Sequence, residues 1–245
     1  MKPELCDPLV EDLDALIRLH DRELDGETVT ALKVVDFPMN LALLPEGPTG
    51  DGIVATLRAA LGELGAPPTV EQLDLLAADF AAIYLNNSYG TSPYESVWVT
   101  DEHLVAQQPM FEWRQLLADD GFVAGDWRRR YDDHLVLQLQ WLQGRLRRHR
   151  DDWEATAATL DEHLLYWLVD WALRVEARAD TPFYAGLAGL TVHWLQRFRE
   201  LLADMFDLEV PLREDVAAKV RAKFKVEAES IAPIKFMPGV NGPSW

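Results

Sequence analysis

Apolar residues recur along this chain at helical spacing. Leu9, Leu13, Leu16 and Leu19 fall four, three and three apart, which puts them on one face of a helix. Thr28–Leu44 is a second apolar segment, and Pro38 must end or kink it. LPEGPTGDG, Leu44–Gly52, reads as a loop from its glycines and prolines, and Ile53–Gly65 as a short helix stopped by Gly65 and Pro67-Pro68. Thr69 with Gln72 three residues on forms a capping box, opening a helix that runs to about Asn86. Asn86–Pro93 reads as a loop and Pro109–Asp119 as a helix ended near Gly121. Asp126–Arg150 reads as a long helix with Trp127, Tyr131, Leu135, Trp141 and Leu142 inward, and Asp151–Arg178 as another. Thr181 and Pro182 supply a cap and a first-turn proline for the next helix. Its stripe is Phe183, Leu187, Leu190, Trp194, Phe198, Leu201 and Met205. Pro211–Glu229 is a final amphipathic helix, and Ala232–Trp245 an irregular tail with prolines and glycines. Nothing alternates apolar with polar for long enough to make a sheet, so the pattern predicts an all-α fold without internal repeats.

Composition narrows the classes. The 245 residues bury a sizeable core, and the formal net charge of −18 repels nucleic acid and anionic lipid while attracting basic ligands. Acidity also serves plain solubility. Cys6 is the lone cysteine, so no internal disulfide forms, which suits a reducing compartment. The N-terminus lacks the pattern of a secretory signal, and no run of about 18 apolar residues exists to span a membrane. The expected location is the cytoplasm. Nine tryptophans exceed what a core needs, and Trp and Tyr bind peptides well, which favours a binding protein over an enzyme.

Enzyme motifs are sparse. The chain has no Gly-Lys pair for a P-loop, no His-Glu-x-x-His, no Glu-x-x-His and no Gly-x-Ser-x-Gly. Gly50–Ala55 fits a loose dinucleotide fingerprint but lacks the strand that should precede it, and reads as a glycine-rich turn into a helix. Asp132-Asp133-His134 could supply a general base or metal ligands. On a helix, however, adjacent residues point about 100° apart. An ion pair from Asp133 to Arg129 or Arg130 is the plainer account. His163, Trp167 and Trp171 make a mixed aromatic face that is core or pocket.

Three blocks, in order, resemble the TorD/DmsD/NarJ family of cytoplasmic chaperones dedicated to molybdoenzymes exported by the twin-arginine route. They are DFAAIYLNNSYGTSPYESVWVTDEHLV (Asp79–Val105), YDDHLVLQLQWL (Tyr131–Leu142) and LDEHLLYWLVDWALRVEARADTPFYAGLAGLT (Leu160–Thr191). The family's Leu-Phe pair is Ile83-Tyr84 here, the glycine-proline after it is Asn86-Asn87, and the Glu-Pro of its hinge motif is Arg130-Tyr131. The resemblance implies a single TorD-like helical bundle over residues 1–245. Its N- and C-terminal parts join at a hinge near 120–134, with Arg130, Tyr131, Asp132, Asp133 and His134 at that hinge. It implies a non-catalytic chaperone with two partners: a twin-arginine signal peptide, and the apo catalytic subunit of a molybdoenzyme of the DMSO reductase family. Such a chaperone assists insertion of the molybdenum cofactor and prevents premature export.

By the same carry-over, Ile83, Tyr84, Tyr94, Ser96, Trp98, Asp133 and His134 line the leader groove, with Asp133 the partner of a leader arginine. Core packing is the plainer role for Tyr84 and Trp98. No resident cofactor or metal is implied, although some members bind guanine nucleotide weakly, and molybdopterin contact is compatible with the family's work. Members are monomers or homodimers. Two rival readings stand beside this one: a non-catalytic scaffold subunit of a redox complex, and a small enzyme using Asp133 and His134. The client is not named by the residues, and neither loop 44–52 nor the tail matches the family well.

Overall fold

The computed structural model describes residues 3–122, 130–148 and 151–230. Among these the regular structure is entirely helical. The helices are α1 (Pro3–Asp21), α2 (Gly26–Val34), α3 (Gly47–Glu63), α4 (Val70–Phe80), α5 (Glu95–Val99), α6 (Gln108–Asp119), α7 (Leu135–Arg147), α8 (Trp153–Thr159), α9 (Tyr166–Arg178), α10 (Pro182–Phe206) and α11 (Arg213–Ser230). Two π-helical turns, Ala81–Leu85 and Leu160–Leu165, prolong α4 and join α8 to α9. The Tyr94–His134 antiparallel bridge is isolated.

Local rules explain most boundaries. Thr69 Oγ1 accepts the Gln72 amide while Gln72 Oε1 accepts the Thr69 amide, closing the expected capping box. Asp25 caps α2 by accepting the Thr28 amide. Pro182 opens α10, and Asp207, at φ 53°, closes it in the left-handed conformation.

Several expectations need correction. Residues 47–52 are not a loop but the first turns of α3, because Pro48 sits where a helix lacks amide acceptors and Gly50 lets the turn close against Pro45. The Thr28–Leu44 segment is helical only to Val34 and turns before Pro38. The helix expected from Asp126 begins at Leu135; residues 123–129, with Trp127 and Arg129, and the tail 231–245 lie outside the described residues. Tyr131 is therefore exposed, not inward, and Met205 is likewise exposed at the end of the α10 stripe.

The core is one cluster in which α7 packs along α1, and α10 packs against both α9 and α3. At the α3–α10 crossing Gly186 meets Leu57 so closely that a Cβ would not fit. The tryptophans belong to this core: Trp113, Trp141, Trp153, Trp167, Trp171 and Trp194 are buried, and of the described ones only Trp98 is partly open. The surplus that suggested a peptide-binding face is thus used inside. Most of these indoles also pin a polar group: Trp113 donates to Glu95, Trp141 to Asp120, Trp171 to the Thr91 carbonyl and Trp194 to Asp12.

Candidate functional site

The first two blocks singled out in the sequence meet at the start of α5 and α7. Residues 131–134 form a turn, closed by the His134 amide on Tyr131 O at 3.2 Å, that lies against Pro93–Glu95: the Leu135 amide donates to Pro93 O at 2.9 Å and the Glu95 amide to Asp133 O at 3.1 Å. This pairing is why α7 cannot begin earlier. The Asp133 carboxylate takes both the Ser96 amide (2.9 Å) and the Ser96 hydroxyl (2.5 Å) on Oδ2. Its Oδ1 has no hydrogen-bond partner among the described residues, although Asp133 is fully buried. Burial raises its pKa, with the Ser96 bonds opposing. The ion pair expected from Asp133 to the preceding arginines is not formed by Arg130, which instead holds Asp21 at 2.6 Å. Asp132 pairs with Arg114.

His134 is the N-cap of α7, not a residue within it. Its Nδ1 accepts the Val136 amide at 3.0 Å, so the neutral ring carries its proton on Nε2. Burial and the nearby Arg130 hold its pKa well below the ordinary value. The Tyr94 ring stands edge-on to His134, with centroids 4.8 Å apart. Asp133 and His134 therefore serve as a bolt and a cap. Neither is arranged to act on one exposed atom.

The third block enters through Glu95. This carboxylate is fully buried on α5 and accepts from Trp113 Nε1 (2.6 Å), Gln138 Nε2 (2.9 Å) and His163 Nδ1 (3.0 Å). His163 sits in the second π turn, with Nε2 3.6 Å from Glu112, which in turn pairs with Lys223. Burial alone would lower the His163 pKa; Glu95 and Glu112 outweigh it and leave it raised. Burial raises that of Glu95 in turn.

The remaining predicted residues make contacts of their own on the core side. Tyr84 is buried and its hydroxyl lies 2.6 Å from His20 Nδ1. His20 Nε2 is 2.7 Å from Thr191 Oγ1, which donates to Leu187 O, so Nε2 donates and Nδ1 accepts from Tyr84. Burial pushes the His20 pKa down to about 3. Ile83 is fully buried in the core. Trp98 donates to Ser92 O at 2.8 Å, and Arg174 stands over its ring at 5.2 Å. The structure thus brings Ser96 to Asp133 and Tyr94 to His134, while Ile83 and Tyr84 lie in the core and Trp98 makes separate contacts; of these residues Tyr94 and Trp98 are partly open.

Glu95, His20 and Glu112 were missed. Glu95 could have been noticed as the one charge inside SPYESVW; His20 has no local signal, since its partners are distant in sequence. Among the described residues no group of three His, Cys, Asp or Glu could hold a metal, and no helix is long and apolar enough to cross a membrane.

The sequence model of the nitrate reductase delta subunit family matches residues 50–172, half of the chain, from α3 into α9. The chain is 27% identical over 164 residues to chaperone protein TorD of Psychrobacter sp. (strain PRwf-1), covering 63% of this chain and 74% of that one. It is 28% identical over 158 residues to chaperone protein YcdY of Escherichia coli (strain K12), covering 60% and 78%. Against chaperone protein TorD of Shewanella oneidensis the match is 26% over 201 residues, covering 80% and 90%. These relatives, named as chaperone proteins, point to a protein that works without catalysis. The chain belongs to the nitrate reductase delta subunit family, in which TorD-type chaperones are its relatives.

Proposed function

We propose that this protein is a cytoplasmic maturation chaperone for a molybdenum-cofactor oxidoreductase of the DMSO reductase family. It binds the client's twin-arginine leader and apo form, assists cofactor insertion and prevents premature export. The reading rests on family membership, and one observation of the site carries it further. The first two blocks converge on Asp133, which is buried with one carboxylate oxygen unpartnered among the described residues. Such an oxygen is costly to leave unsatisfied. A leader guanidinium admitted by movement of α5 would satisfy it, with Tyr94 and Trp98 taking apolar side chains of the leader at the partly open rim. Residues 130–134 lie outside the helices and are the hinge of this reading. The −18 net charge steers a basic leader inward. No resident cofactor is needed.

Calorimetric titration with synthetic twin-arginine leaders of molybdoenzymes from the same genome tests this at low and moderate salt. Saturable binding of one leader, weakened by salt, is the expected result. Absence of binding to every leader refutes leader recognition and moves client binding to the mature enzyme body.

A further inference from the structure

The C-terminal helix α11 differs from the rest of the molecule in charge and in how it is held. Residues 216–225 contain Lys219, Arg221, Lys223 and Lys225 and no acid, within a chain of net charge −18. Of its described side chains, only Val216 and Val220 are buried apolar residues. Ion pairs hold the remainder: Arg213 to Asp170 at 2.6 Å, Lys219 to Glu162, and Lys223 to Glu112 at 2.7 Å. Clefts of about 400, 310 and 400 Å³ run along it. One of these lies between α11 and the Trp98 and Trp167 side chains. Among its described residues, α11 is held by two buried valines, by Arg213 on Tyr166 O and by ion pairs at the surface, with open clefts alongside, which is a light docking.

What α11 covers is the outer side of the site. Glu112 links Lys223 through His163 to Glu95, and Glu95 precedes the Ser96 that Asp133 holds. The acids that pair with α11 are Glu112 on α6, Glu162 in the second π turn and the exposed Asp170 on α9. The cationic stretch of α11, residues 216–225, thus already occupies an acidic face beside the aromatic rim of the site.

We propose that α11 is a displaceable cover, holding in the unliganded protein the acidic face on which the basic end of an incoming cationic helical peptide docks. The inference deepens the leader-binding reading and rests on it. The leader competes with α11 for Glu112, Glu162 and Asp170, so release of the cover and capture of the client are one exchange of cations.

The test compares the full-length protein with Lys219→Gln/Lys223→Gln, which frees the face but keeps it acidic. A second variant, Arg22→Gln/Arg58→Gln, makes the same charge change at arginines that pair with Asp21 and Asp36. The α11 variant should bind the cognate leader roughly fivefold more tightly at low salt, with the control changing much less. Unchanged or weaker binding by the α11 variant overturns the proposal. If no leader binds any of the proteins, the leader reading has failed, and the probe becomes a synthetic peptide of residues 213–230. Binding of that peptide to the α11 variant more tightly than to the unaltered protein keeps the cover; equal or absent binding overturns it too.

Discussion

Single buried acids carry more of this molecule than their number suggests. Asp79 on α4 is fully buried and accepts the Asp180 and Thr181 amides, the Thr181 hydroxyl and the Tyr89 hydroxyl. It therefore anchors from another helix the residues that lead into α10, and it engages the hydroxyl of Thr181, which makes no side-chain cap bond. Asp79→Asn keeps the shape but turns charged acceptors into a neutral one, and should cost roughly 2 kcal/mol. The check is a lowered urea midpoint at an unchanged slope. Asp133 allows a sharper separation. Asp133→Ala should weaken leader binding with helix content intact. Asp133→Asn retains an oxygen for Ser96 but cannot pair with an arginine as a charge, so it should weaken binding nearly as much, on the order of tenfold. Affinity fully restored by asparagine would mean that Asp133 only positions α5.

Among the elements, α7 shows how closely one helix is fitted to its surroundings. Its core face packs on α1, and Gly144 faces the Phe122 ring so closely that a methyl would overlap it. Arg148, just past α7, stands over that ring, 4.1 Å from its centroid. Gly144→Ala gains up to about 1 kcal/mol of helix propensity. Overlap with the ring costs about 1–3 kcal/mol. The expected outcome is net destabilisation in thermal unfolding, with partial recovery in Gly144→Ala/Phe122→Leu. Stabilisation by Gly144→Ala alone would refute the close fit.

Across the whole molecule, the histidines set opposing limbs of pH dependence. His20 titrates near 3 when folded and near 6.5 when unfolded, so only the unfolded chain takes up its proton as pH falls below 6.5. At pH 5 this removes roughly 2 kcal/mol of stability. His134 acts in the same direction. The raised carboxyls of Asp12, Glu95, Asp133 and Asp161 act the other way as they protonate. The His20 contribution is therefore read as the difference between the unaltered protein and His20→Gln from pH 6.5 to 5. His163 is raised, so its contribution is present below about pH 6.5 and is lost as pH rises through its folded value. His163→Gln should lower the melting temperature below about pH 6.5 and remove the decline above it, leaving the slope of the acid side unchanged. An unchanged alkaline limb would show that the Glu95–His163 pair is not ionised.

The sequence by itself determined the helical class, the capping box at Thr69, the start of α10 and the family blocks. Each of these depends on residues within a turn or two of one another, where side-chain spacing and backbone chemistry act directly. It also singled out Tyr94, Ser96, Trp98, Asp133 and His134 through motif order, while the contacts of Ser96 with Asp133 and of Tyr94 with His134 appear only in the structure. Only the tertiary structure decided that the tryptophans are core and that Gly47–Gly52 is helical. Only it showed that His134 caps a helix and that Glu95 and His163 form a buried pair. The buried polar pairings rest on distant partners, Glu95 and His163 being 68 residues apart and His20 standing 64 and 171 residues from Tyr84 and Thr191. No local pattern encodes them: a buried polar group needs a partner, and the fold decides which distant residue arrives to supply it.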